Sequence, residues 1–103
     1  MAKSPVAKRL KEARLAAGLS QKSLGIAAGI DEFSASARMN QYETGKHTPD
    51  YSTLARIAKV LKILAAYFYA ELDEMAEIIQ LAGQINKYKI STLIKTIKNE
   101  SSK

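Results

Sequence analysis

The side chains with chemistry to offer are hydrogen-bonding rather than catalytic, and they gather between Leu19 and Pro49. Gln21 and Lys22 come first, then Ser34, Ser36, Ala37, Arg38, Asn40 and Gln41, then the basic run Lys46-His47-Thr48. Gln and Asn can pair bidentately with adenine, Arg with guanine, and an Ala methyl can pack on a thymine methyl. Lys, Gln and Thr near a helix start or in a basic loop can hold phosphate oxygens.

Two short helices joined by a turn would place these groups together, in the layout of a helix-turn-helix. Ser20 is the cap of the earlier one, with Gln21 and Lys22 in its first turn and Leu24, Ala27 and Ala28 facing inward. Gly25 inside that helix costs about 1 kcal/mol relative to Ala, and close approach of another helix would explain it. Gly29 makes the turn, and Asp31 and Ser34 both fit as the next cap. A helix from near Ser34 to Tyr42 or Glu43 would turn Ala35, Met39 and Tyr42 inward. Ser34, Ala37 and Gln41 would lie opposite, with Arg38 and Asn40 on the flanks. An ordinary solvated face has the same composition, so that helix alone leaves the two readings about even.

Length and charge narrow the field. With 103 residues, 47% hydrophobic and 25% charged, the chain is one ordinary folding unit, large enough for a core without staples. It has no cysteine and one histidine, His47, so disulfides, thiol chemistry and a His- or Cys-based metal site are not expected. Neither a nucleophile–base pair nor a phosphate-binding glycine loop is present. Asp73, Glu74 and Glu77 read as a solvated helix start rather than an acid–base pair. An enzyme is therefore not expected, nor any cofactor. The net charge of +6 suits a polyanionic partner. The longest apolar run, near Ile63 to Ala70, is too short to span a bilayer, and no leader-like apolar core follows Met1, so a cytoplasmic protein without membrane contact is expected.

The remaining elements read as support. Ser4-Pro5 starts a first helix with Val6, Leu10, Ala13 and Ala17 on one face and Lys8, Arg9, Lys11 and Glu12 pointing elsewhere; Gly18 ends it. Asp50 caps a fourth helix with Leu54, Ile57, Ala58 and Leu61 inside. Residues 63–70 give a short fifth helix whose Tyr67-Phe68-Tyr69 reads as core. From Leu72 on, Met75, Ile78, Ile79, Ala82 and Ile85 form one apolar stripe, and Ile90, Leu93, Ile94 and Ile97 another. Such stripes fold back on the domain or pair with another subunit.

Residues 9–70 resemble the Cro/phage-repressor type of helix-turn-helix, the XRE family. The pattern is Arg14-x-x-x-Gly18-Leu19-Ser20-Gln21-x-x-Leu24, Ala28-Gly29-Ile30, Met39-x-x-Tyr42-Glu43-x-Gly45-Lys46-x-x-Pro49 and Leu54-x-x-Ile57-Ala58-x-x-Leu61. The joint from Gly29 to Met39 is a few residues longer than the usual pattern. The resemblance implies an all-α fold: a five-helix repressor-like bundle, here with one or two additional C-terminal helices. It implies DNA base contacts from Ser36, Ala37, Arg38 and Gln41 and phosphate contacts from Gln21, Lys46, His47 and Thr48; the helix readings above add flank contacts from Ser34 and Asn40 and a phosphate contact from Lys22. It also implies a structural salt bridge between Arg14 and Glu43. The expected organisation is a DNA-binding domain over 5–70, a helical extension for dimer or partner contact over 71–98, and a frayed tail over 99–103. The function so implied is a homodimeric repressor reading a palindromic operator in double-stranded DNA. The rival is an antitoxin or regulatory subunit holding a protein partner on its C-terminal helices.

Overall fold

A computed structural model describes residues 4–102. The chain is all-helical: α1 Val6–Ala16, α2 Gln21–Ala27, α3 Ala35–Thr44, α4 Tyr51–Leu61, a short 3-10 helix Ala65–Tyr69, α5 Asp73–Ala82 and α6 Lys87–Ser101, with no strand among the described residues.

Local chemistry sets the helix ends. Ser4 Oγ accepts from the Val6 amide at 3.3 Å, and Pro5 stands just ahead of the first helical residue. Ser20 accepts from the Ser23 amide and Asp50 from the Thr53 amide, at 3.0 and 2.8 Å. These bonds satisfy amides that a helix start leaves orphaned. The Thr53 backbone amide, then its side chain, hold the Asp50 carboxyl below the usual carboxylate range. Gly18 and Gly29 follow α1 and α2 at φ +72° and +92°, where a side chain would be strained.

Leu10, Leu24, Met39, Leu54, Ile57 and Phe68 are fully buried, one or more from each of α1 to α4 and the 3-10 helix. Each contributes about 1.5–3 kcal/mol relative to exposure. Tyr67 and Phe68 meet edge to face at 6.0 Å and serve as core, while Tyr69 stays outside.

Several side chains sit differently from the sequence expectation. Ala17 and Ala27 face water, because α1 stops before Ala17 and because α2 turns Gly25, not Ala27, to its neighbour. Leu61 is half-buried. The fifth helix is 3-10, over Ala65–Tyr69. On α5, Ala76 is the buried residue; Ile79 and Ala82 are half-buried, while Met75 and Ile78 are exposed. The helix after Asn86 continues to Ser101, where a frayed tail was expected. There Ser101 and Ser102 hydroxyls donate to the Ile97 and Lys98 carbonyls at 3.0 and 2.8 Å. No residue of α6 is buried. The Cα radius of gyration, 15.5 Å, accordingly exceeds the roughly 13 Å of a compact 100-residue domain.

The largest departure is Arg9, which is 2% exposed. Its Nε donates to the Ala70 carbonyl at 2.8 Å and its Nη2 to the Glu71 carbonyl at 3.2 Å. Nη1 meets Asp73 Oδ1 at 2.9 Å and Glu12 Oε2 at 3.3 Å, and the guanidinium carbon lies 5.9 Å from the Tyr67 ring centre. Burial opposes its charge, but Asp73 and Glu12 outweigh that and raise its pKa. Burial is also the main cause that raises the Tyr67 hydroxyl. Arg9 thus clasps the start of α5 to α1.

Lys8 shares Asp73 Oδ1 at 3.1 Å, and Lys8 first, then Arg9, hold that carboxyl below its ordinary value. A carboxylate with a depressed folded pKa stabilises fully above its unfolded pKa, about 3.9, and stops doing so as pH falls through the folded value. Asp73→Asn should therefore loosen α5 at neutral pH. It should also remove this residue's share of the acid sensitivity below about pH 4. Hydrogen-exchange protection of the Ala76 amide, which donates to the Leu72 carbonyl at 3.0 Å, reads both effects. Equal protection in parent and variant at neutral pH would remove Asp73 from the clasp.

Candidate nucleic-acid interface

The packing of α2 on α3 begins at Gly25. A Cβ there would stand 2.9 Å from Ala35 Cβ, 3.1 Å from Met39 Cγ and 3.2 Å from the Ala35 carbonyl oxygen. Only glycine lets the two backbones approach this closely. Beyond Gly29 the chain makes an extra turn before α3. Asp31 Oδ2 accepts from the Phe33 amide at 3.0 Å, and the Asp31 carbonyl accepts from the Ser34 amide at the same distance. Asp31 therefore caps this turn. Ser34 stands at the cap position of α3 but makes no side-chain cap bond. The longer joint is absorbed here, and α3 starts at Ala35.

Ala35, Met39, Tyr42 and Glu43 are the buried residues of α3. The rest of the helix is displayed. Ser36, Ala37, Arg38 and Asn40 are exposed; Gln41 and Ser34 are half-buried. At 100° per residue, Ser36 and Asn40 fall on the side beside α2, Ala37 and Gln41 form the outermost line, and Ser34 and Arg38 flank it.

Orientation of this helix depends on one guanidinium. Arg14 Nε donates to Glu43 Oε2 at 2.6 Å and Nη2 to Glu43 Oε1 at 2.9 Å, a two-toothed pair with both side chains largely buried. Arg14 Nη1 also donates to the Leu19 carbonyl at 2.9 Å, immediately ahead of α2. The Glu43 hydrogen bond raises the Arg14 pKa, against the opposing effect of burial. Gln21 completes the tie: its Nε2 lies 3.2 Å from both Asn40 Oδ1 and Glu43 Oε1. α1, the start of α2 and the end of α3 are thereby joined in one hydrogen-bonded unit.

The basic loop follows directly. The Gln41 carbonyl accepts from the His47 amide at 3.2 Å and from Thr44 Oγ1 at 3.3 Å, which folds the loop back on α3. Lys46, His47 and Thr48 are exposed, while Pro49 is buried beneath them. The structure so brings Gln21 beside Asn40 and His47 beside Gln41. Ser34 and Ser36 lie at the other end of α3, away from the loop. Among the described residues, no carboxylate forms a salt bridge with Lys22, Arg38 or Lys46. These three cations are available to an anion from outside.

Two contributors escaped the sequence reading. Arg56 Nε donates to the Ala28 carbonyl at 2.9 Å, and its Nη1 to Ser52 Oγ at 2.9 Å, tying the end of α2 to α4. Phe33, in the extra turn, is 91% exposed.

A tightly crossed α2–α3 pair, with α3 displayed and braced by α1 while α4 packs against α2, defines a helix-turn-helix. The family pattern described as a helix-turn-helix domain matches residues 6–66, more than half of the chain, and the chain belongs to that family. It is also similar to a solved protein described as the transcriptional regulator BswR, at 45% sequence identity and a TM-score of 0.84, over 91% of this chain and 93% of that one. No curated relative matches the chain. No described helix is long and apolar enough to cross a membrane.

Proposed function

We propose that this protein is a cytoplasmic, sequence-specific DNA-binding transcriptional regulator that acts as a homodimeric repressor on a palindromic operator. The observation that carries the reading is the displayed face of α3, held rigidly by the Arg14–Glu43–Gln21 tie and flanked by Lys22, Arg38 and Lys46 without internal partners. Residues 5–70 form the DNA-binding part. Ala37, Arg38, Gln41 and Ser36 read base edges, with Ser34 and Asn40 at the flanks. Gln21, Lys22, Lys46, His47 and Thr48 hold the phosphate backbone. Asn40 already accepts from Gln21, so its base-directed role uses the opposite side of its amide. Residues 71–98 supply the dimer contact through Leu72, Met75, Ile78, Leu93, Ile94 and Ile97, all exposed in the single chain. Two-fold pairing would set half-sites about one helical turn, roughly 34 Å, apart.

Selection from random duplex DNA at two salt concentrations tests this reading. The expected result is an enriched palindrome with fixed half-site spacing and affinity that falls steeply with salt, because phosphate contacts release counterions. Gln41→Ala should cost about 1–3 kcal/mol of binding and relax preference at one base pair per half-site. Binding without enrichment would reduce the protein to a non-specific polycation binder. An enriched single half-site bound by a monomer would return the C-terminal face to a protein partner, as in an antitoxin.

A further inference from the structure

Phe33 has no structural work to do in this chain, and yet it is held in place. It is the most exposed large apolar residue described, at 91%, so it contributes almost nothing to the core. Its amide is pinned by Asp31 Oδ2 at 3.0 Å, and the next amide, of Ser34, by the Asp31 carbonyl at 3.0 Å. Helical hydrogen bonding then begins at once: the Ser34 carbonyl accepts from the Arg38 amide at 2.9 Å. The aromatic ring is therefore mounted on an ordered turn at the leading end of α3, not on a slack loop. It stands two residues ahead of Ala35, the first residue of α3, at the end of that helix that also carries Ser36 and Ala37 and away from the Lys46 loop.

We infer that Phe33 is a specificity-determining residue that reads thymine 5-methyl groups in the major groove, adding an apolar contact at the edge of the half-site read by Ala37 and Gln41. The inference rests on the DNA-reading role proposed above. Its physical basis is simple. In the major groove thymine alone among the bases presents a methyl group, and an apolar side chain recognises it by excluding water. A ring this exposed and a thymine methyl both leave water when they meet, and removing both apolar surfaces from water favours the contact. Charge has no part in it, so the contact is independent of salt, unlike those of Lys22 and Lys46.

Thymine and deoxyuracil differ by that methyl alone, so they isolate the contact. The operator obtained by selection is synthesised with each thymine of one half-site replaced in turn by deoxyuracil, and binding of the parent and of Phe33→Ala is measured at one salt concentration. For the parent, one position at the outer edge of the half-site should lose about fourfold in affinity, the worth of one buried methyl. At that position Phe33→Ala should bind thymine and deoxyuracil equally, with the parent's salt slope and the parent's thermal stability. The inference is overturned if every replacement affects parent and variant alike, or if the variant binds the thymine operator as tightly as the parent does. It is also overturned if Phe33→Ala changes the oligomeric state in sedimentation, which would place the ring in a protein contact. Failure of the selection to yield any operator would instead strike the DNA-reading role itself, before Phe33 is examined.

Discussion

Replacing Arg14 by Ala should destabilise the fold by about 3–5 kcal/mol, the cost of leaving a buried charge without its partner. The side chain of Glu43 is 2% exposed, so water cannot replace the guanidinium without the packing opening. A domain of this size has about 5–15 kcal/mol in all, and each kcal/mol is worth about 4–8 °C in Tm, so the midpoint should fall by tens of degrees. The Leu19 carbonyl loses a donor as well, and the start of α2 loosens with it. DNA binding should fall beyond what unfolding explains, since α3 loses its tether while the side chains proposed to read bases are unchanged. The paired replacement Arg14→Met with Glu43→Leu separates the causes. Removing both charges leaves no unpaired ion, so the double variant should recover most of the lost stability. Gln21 would still lack Glu43, and operator affinity should recover less than stability does. Urea denaturation of the parent, Arg14→Met, Glu43→Leu and the double variant closes the cycle. A loss for Arg14→Ala below about 1 kcal/mol, the range of an exposed pair, would mean that the bridge is ornamental.

The contrast between Arg14 and Arg9 shows what was legible in the sequence. The inward positions of α3 followed from spacing alone: Ala35, Met39 and Tyr42 are four and three apart, and all three are buried. The same rule applied strictly to α1 places Arg9 inside, three after Val6 and four before Ala13. Charge argued it outward, and charge lost, because carbonyls 61 and 62 residues away at Ala70 and Glu71, with Asp73 beyond them, satisfy the guanidinium. No local pattern announces a partner so distant. The C-terminal stripes fail for a related reason. Periodicity shows that Met75, Ile78, Ile94 and Ile97 need a cover, but in the single chain α5 and α6 leave them exposed. Phe33 was invisible for another reason: no periodicity governs a joint, so nothing in the pattern says that its ring stays 91% exposed.

Gly25 was singled out by its cost in a helix, and the structure supplies its reason. Gly25→Val should destabilise by more than the roughly 1–3 kcal/mol of ordinary overpacking, since three atoms already crowd the Cβ position and one is a backbone oxygen of α3. Gly25→Ala is the sharper test, because two effects oppose each other. Helix propensity favours alanine by about 1 kcal/mol. The clash with Ala35 Cβ at 2.9 Å and with its carbonyl oxygen at 3.2 Å acts the other way, and backbone cannot swing aside as a flexible side chain can. The clash should win, with a net loss of about 1–2 kcal/mol in thermal unfolding. The relief must come from α2 and α3 moving apart, which tilts Ala37, Arg38 and Gln41 relative to the Lys46 loop. Operator affinity should therefore drop with little change in salt slope, because the cations proposed to hold phosphate are all still present. Adding Ala35→Gly to Gly25→Ala removes the closest of the three contacts and should restore part of the binding despite the glycine it places at the start of α3. Restored binding alongside lowered stability would be hard to explain by anything except the spacing between α2 and α3. A Gly25→Ala protein that is more stable than the parent and binds its operator unchanged would mean that the crossing is loose and that propensity alone decides at this position.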